Sequence, residues 1–157
     1  MHKSIQIGST ALLISIFTQT PLLAQLSLPE KAPVIAKSWD WSIYRAVIPL
    51  LNLANCTGIY KDKLNIQLFD KALFVAAPVP DFVRWRLDDG SVKSRVPSSI
   101  EKRFQVIGFM GSEFDQILLA KRLKVEVFNI RSRVVDQDIN LTGFREAYGV
   151  LQTAQCR

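Results

Sequence analysis

What most constrains the fold of this chain is a pair of cysteines behind an export signal: Cys56 in the first half and Cys156 as the next-to-last residue. An exported chain matures where thiols oxidise, and two cysteines there most often become one bridge. Such a bridge ties the C-terminal end back onto the body and closes a long loop. The chain-entropy model values that closure at ~4–5 kcal/mol before native strain is subtracted. Two free or intermolecular cysteines are the alternative.

The export signal is read over residues 1–24. Lys3 supplies a small positive region, Ala11–Phe17 a short apolar run, and Pro21–Gln25 a cleavage site with the cut after Ala24. The apolar run is far shorter than the ~20 residues a membrane-spanning helix needs, and its flanks are those of a signal peptide. An uncleaved anchor is the alternative. No cysteine follows the cut to take a lipid, and no later segment is long and apolar enough to span as a helix. The expected location is periplasmic or secreted.

Removing 24 of the 157 residues leaves 133, the size of one ordinary domain. A chain of that length buries roughly two-thirds of its unfolded surface and can build a core without many disulfides. Lys3 is the only charged residue removed, so the formal charge falls from +6 to +5. Short basic clusters stand at Lys61/Lys63, Lys102/Arg103, Lys121/Arg122/Lys124 and Arg131/Arg133. Outside the cytoplasm such a surface suits anionic envelope polymer, phospholipid headgroups or an acidic protein rather than nucleic acid. A solvated surface that only aids solubility is the plain alternative.

The single histidine, His2, lies inside the signal. The mature chain thus has none, which removes Ser-His-Asp and Cys-His catalysis, the usual zinc-hydrolase ligands and the commonest general base. No enzyme, cofactor or metal is expected.

Residues 25–38, with Pro29 and Pro33, read as an extended lead, and residues 39–157 as one domain. Residues 39–44 alternate bulky and polar side chains as a half-buried strand does. Pro49 argues against a regular central element over Ala46–Leu53, leaving an irregular segment or a short helix. Period-2 patterning returns from Lys63 to Phe69 and over Leu73–Ala76. Phe82–Leu87 is a strand, Asp89-Gly90 a hairpin turn in which both residues accept positive φ, and Ser91–Val96 the return arm. Phe104–Phe109 is expected to pair alongside that hairpin. A short helix follows over Gly111–Arg122, with Phe114, Ile117, Leu118 and Lys121 on one face and Ser112 as N-cap. Leu123–Ile130 and Val134–Leu141 are the next strands. The last helix carries Phe144, Ala147, Tyr148 and Leu151 on its apolar face, with Thr142 as cap. The expected class is α+β: an antiparallel β-rich sheet or sandwich with two short helices, one of them C-terminal.

Over residues 82–156 the chain resembles small exported bacterial proteins of two kinds, the invasion-associated locus B family and the accessory proteins of type VI secretion loci. The residues that carry the likeness are Val83-Arg84-Trp85-Arg86-Leu87-Asp88, the strand Leu123-Lys124-Val125-Glu126-Val127, and Leu141-Thr142-Gly143-Phe144-Arg145-Glu146-Ala147 running toward a terminal cysteine. The resemblance implies a non-enzymatic exported β-protein acting in the envelope or in secretion through a protein partner. It carries over no functional residue except Cys156, as half of a disulfide.

Strand alternation puts Arg84 and Arg86 on one face and Trp85 on the other. With Trp85 buried, the two arginines form a patch for an anion or a protein; with the face reversed, Trp85 is an exposed anchor. Core tryptophan beneath solvated arginines is the plain reading. Arg131 and Arg133 stand on one side of a turn and extend the same basic face, or only flank the turn. Trp39, Trp41 and Tyr44 make an aromatic shelf for a glycan or proline-rich segment, or are simply buried. Asp88/Asp89 and Glu113/Asp115 are the carboxyl pairs a glycosidase would need. Turn geometry and the helix dipole account for them without chemistry. Asn55-Cys56-Thr57 and Asn140-Leu141-Thr142 match the glycosylation acceptor pattern.

Overall fold

The computed structural model describes residues 32–48 and 53–156, so the signal, most of the lead and Pro49 lie outside the described residues. Among the described residues ten strands fall into two antiparallel sheets. The larger sheet contains β1 (Val34–Ser38), β2 (Trp41–Ile48), β3 (Leu53–Tyr60), β4 (Lys63–Phe69), β5 (Ala72–Ala76) and β8 (Val106–Met110), in that spatial order. The smaller runs β10 (Arg133–Asn140), β9 (Arg122–Phe128), β6 (Phe82–Leu87), β7 (Lys93–Arg95). The helices are α1 (Ser99–Phe104), α2 (Ser112–Leu119) and α3 (Phe144–Leu151). The class is α+β, as the patterning predicts, with one helix and two strands that the patterning missed.

Cross-strand register identifies the buried face of the larger sheet. Ile43, Gly58, Leu68, Leu73 and Phe109 stand opposite one another across five strands, and the four large side chains are fully buried. Gly58 is required there, since a Cβ would come within 3.0 Å of the Leu68 Cβ. Two things cover this face. The smaller sheet lays Trp85 against Phe109, ring centroids 5.7 Å apart, and α3 lays Phe144 against Trp41 at 5.0 Å. Phe114 of α2 then closes on Phe144 at 5.9 Å. Burying a large apolar side chain contributes about 1.5–3 kcal/mol, so this aromatic line is a main tie between sheets and helices.

Cys56 and Cys156 are joined, with Cα atoms 5.2 Å apart. Cys56 lies on the same face of β3 as Gly58, so the bridge fastens the end of the chain beside α3. Arg45, opposite Cys56 on β2, adds a second tie by donating Nε–H to the Gln155 carbonyl at 2.8 Å.

Several local expectations are corrected. β2 runs on to Ile48 and β3 begins at Leu53, so Ala46–Ile48 and Leu53 are strand rather than an irregular or helical run, and residues 49–52 between them lie outside the described residues. The strand beginning at Val106 pairs with β5, not with the β6–β7 hairpin. That hairpin turns one residue early: Asp88 takes the positive φ of 48° while Asp89 and Gly90 do not, and the Gly90 N–H donates to the Leu87 carbonyl. Glycines, not side chains, cap the later helices. Gly111 precedes α2 in place of Ser112, and Gly143 precedes α3 in place of Thr142. The first strand ends the predicted lead, and Val34–Ser38 pairs with β2.

Candidate binding face

Alternation along β6 turns Val83 and Trp85 inward and leaves Arg84 and Arg86 exposed on the outer face. Trp85 is only 6% exposed, so it is core and not an anchor. β9 supplies the next row outward. Glu126 stands opposite Arg84, and Lys124 stands directly opposite Arg86. β10 adds Asp136 beside Glu126 and Asp138 beside Lys124.

The charges on this face are unevenly paired. Glu126 holds two arginines, Arg133 at 2.8 Å and Arg84 at 3.1 Å. The hydrogen bond from Arg133 draws the Glu126 carboxyl below its ordinary range, partial burial opposes it, and the charges of Arg84 and Lys124 add to it. Arg133 also reaches Asp136 at 3.0 Å, and the Arg84 guanidinium lies 4.7 Å from the centre of the Phe128 ring. Asp138 pairs with Arg122 and is lowered chiefly by that bond, with Lys124 and Arg86 contributing through their charges. Arg86 and Lys124 themselves form no ion pair among the described residues. Like charges directly opposite in a sheet repel, and Asp138, opposite Lys124 on β10 but bonded to Arg122, offsets this cross-strand pair only in part. With Arg84, Glu126, Trp85 and Val92, Arg86 and Lys124 line a hollow of about 130 Å³.

A second cleft of about 330 Å³ adjoins it past Arg122 and Asp138, lined also by Tyr60, Lys61, Lys121 and Asn140. The basic surface therefore continues from the smaller sheet toward the β3–β4 turn, where Lys61 faces Asp40 at 3.7 Å.

Of the residues singled out from sequence, the structure joins Arg84, Arg86 and Arg133 on one face and places Trp85 beneath it. Arg131 sits in the β9–β10 turn, its N–H donating to Asn129 Oδ1 at 2.8 Å. The aromatic shelf is not formed. Trp41 is fully buried, Trp39 is 80% exposed in the β1–β2 turn, and Tyr44 turns away to donate its hydroxyl to Asp62 at 3.1 Å. One carboxylate of each pair is engaged in structure. Asp88 Oδ1 accepts the N–H groups of Lys121 and Arg122 at 3.0 and 2.9 Å, and Glu113 pairs with Arg95 at 3.5 Å. Asn140 Oδ1 accepts both the N–H and the hydroxyl of Thr142, at 2.9 and 2.7 Å, so that motif is a hydrogen-bonded turn.

Glu126 was missed from sequence and Lys124 is read there only as part of a basic cluster, although the alternation of β9 puts both on its outer face. What could not be foreseen was which strand lies beside it. Comparison with protein-family models, with curated proteins and with solved structures returned no match.

Proposed function

We propose that this chain is an exported, disulfide-stapled envelope accessory protein that works by binding and not by catalysis, with the outer face of the β10-β9-β6-β7 sheet taking an anionic partner. The observation that carries this reading is the unpaired juxtaposition of Arg86 and Lys124, with Arg84 beside them. Arginine forks and a lysine around a shallow hollow suit phosphate-type groups. Burial of Trp85 counts against a protein interface anchored on that residue. The cysteine pair fits an oxidising compartment, periplasmic or extracellular, and the secretion or envelope setting follows the resemblance noted for residues 82–156.

The test is binding of inorganic polyphosphate by the oxidised protein at rising ionic strength. Binding that falls steeply with salt and is lost in the Arg84→Ser/Arg86→Ser variant supports the reading. Polyphosphate binding that is absent, or unchanged in that variant, sinks it.

A further inference from the structure

One end of the basic face is apolar. Phe82 and Phe128 stand opposite each other on β6 and β9, ring centroids 6.3 Å apart, and Phe82 is 38% exposed. Beyond them the β9–β10 turn holds Ile130 almost wholly in solvent, 87% exposed. Val79, two residues before Asp81, is 61% exposed.

These side chains are held out by structure. The Asn129 N–H donates to the Ser132 carbonyl at 2.9 Å, and Asn129 Oδ1 accepts the N–H groups of Arg131 and Ser132. The Ile130 N–H donates to Asp81 Oδ2 at 3.0 Å, and the Asp81 N–H to the Phe128 carbonyl at 2.9 Å, which ties the two loops together. Val79 takes φ 44° between Pro78 and Pro80. A β-branched residue at positive φ is strained, and Val79 carries that strain while exposed.

The spacing of the rows decides what such an end can meet. Alternate residues on a strand are ~7 Å apart. Arg84 therefore lies one step, about 7 Å, behind the phenylalanine row, and Arg86 with Lys124 lies about 14 Å behind it. The headgroup layer of a bilayer is about 5–8 Å deep. A face dipped as far as Phe82 and Phe128 would set Arg84 at phosphate level and the unpaired Arg86 and Lys124 in the negative potential just outside. Arg131 and Arg133, at the same turn, add cations beside the apolar tip.

We infer that this end of the smaller sheet docks on an anionic phospholipid surface, with Ile130, Val79 and Phe82 entering among the headgroups and Arg84, Arg131 and Arg133 meeting phosphates. The inference rests on the anion-binding reading of the basic face and names the partner as lipid. The experiment is flotation of the oxidised protein with vesicles of phosphatidylglycerol mixed into phosphatidylcholine, and with phosphatidylcholine alone, alongside polyphosphate binding. Wild type is expected on the anionic vesicles only. Ile130→Ser/Val79→Ser should lower that partition at least tenfold, since each aliphatic side chain loses a sizeable part of its burial free energy, and leave polyphosphate binding unchanged. Arg84→Ser/Arg86→Ser should lower both. The inference is overturned if the serine variant floats like wild type, or if wild type binds polyphosphate but no vesicle; either result leaves the anion-binding reading standing. Failure of wild type to bind polyphosphate overturns both.

Discussion

Arg95 and Glu101 form a two-pronged ion pair, Nη1 to Oε2 and Nη2 to Oε1 both 2.9 Å, and the same two side chains close the open edge of β8 at Gly108. Glu101 Oε1 accepts the Gly108 N–H at 2.9 Å while Arg95 Nη2 donates to the Gly108 carbonyl at 2.9 Å. The pair thus does for Gly108 what a neighbouring strand would do, and it blocks the middle of an edge that could recruit another chain. Glu101 also fastens α1, accepting the Ser98 N–H at 2.7 Å in a reciprocal cap.

Acid should unpick this arrangement. Burial pushes the Glu101 carboxyl up, but the bonds from Arg95, Gly108 and Ser98 outweigh it and leave the pKa lowered to about 2 from 4.5. A carboxyl depressed on folding contributes stability that is present above its unfolded pKa and lost as pH falls toward the folded one. Stability should therefore decline between pH 4.5 and about 2. Glu101→Gln should cost on the order of 2–3 kcal/mol at neutral pH and flatten that decline, read by urea unfolding across the range. An unchanged acid limb in the variant would assign the pH dependence to other carboxyls.

Lys124→Glu should separate stability from binding. It places a carboxylate opposite Arg86 on one side and opposite Asp138 on the other, so a new attraction and a new repulsion of about 0.2–1 kcal/mol each offset one another and stability should stay close to wild type. Polyphosphate affinity should fall at the same time. If affinity holds, the Arg86–Lys124 pair is not the site.

Gly143 should not tolerate alanine. Its φ is +79°, and a Cβ would lie 2.8 Å from the Ser38 carbonyl oxygen and 2.8 Å from Trp39 Cδ1. Gly143→Ala should cost about 1–3 kcal/mol by pushing the start of α3 off the β1–β2 turn. A thermal midpoint equal to wild type would refute this account of the turn.

Reduction of Cys56–Cys156, or their joint replacement by serine, should lower stability by about 2–4 kcal/mol. Amide exchange should then rise first in α3 and the residues following it, since the bridge and the Arg45–Gln155 bond hold that end. Uniform loss of protection would mean that the bridge stabilises the whole domain rather than its end.

Several elements were legible because their signal is local. Period-2 alternation located β6 and β9, and spacing of three and four located α2 and α3, since backbone geometry repeats over a few residues. Ser98 and Glu101 carried a capping signal for α1 that went unread, being three residues apart ahead of no long apolar run. β3 was invisible for a different reason. Its Asn55-Cys56-Thr57-Gly58 is too mixed to show a pattern, and it is a strand because β2 and β4 pair with it on both sides.

By itself, the sequence determined which residues share a face of a strand or helix, which cysteines were there to pair, and that Arg84 and Arg86 point one way while Trp85 points the other. Only the tertiary structure decided that the arginines face water, that Lys124 comes to rest against Arg86 with neither in an ion pair, and that Ile130 shares an end with Phe82 through the bonds of Asp81. Alternation has no sign until a second layer buries one face. Nor do residues about forty positions apart meet until non-local hydrogen bonds fix the register.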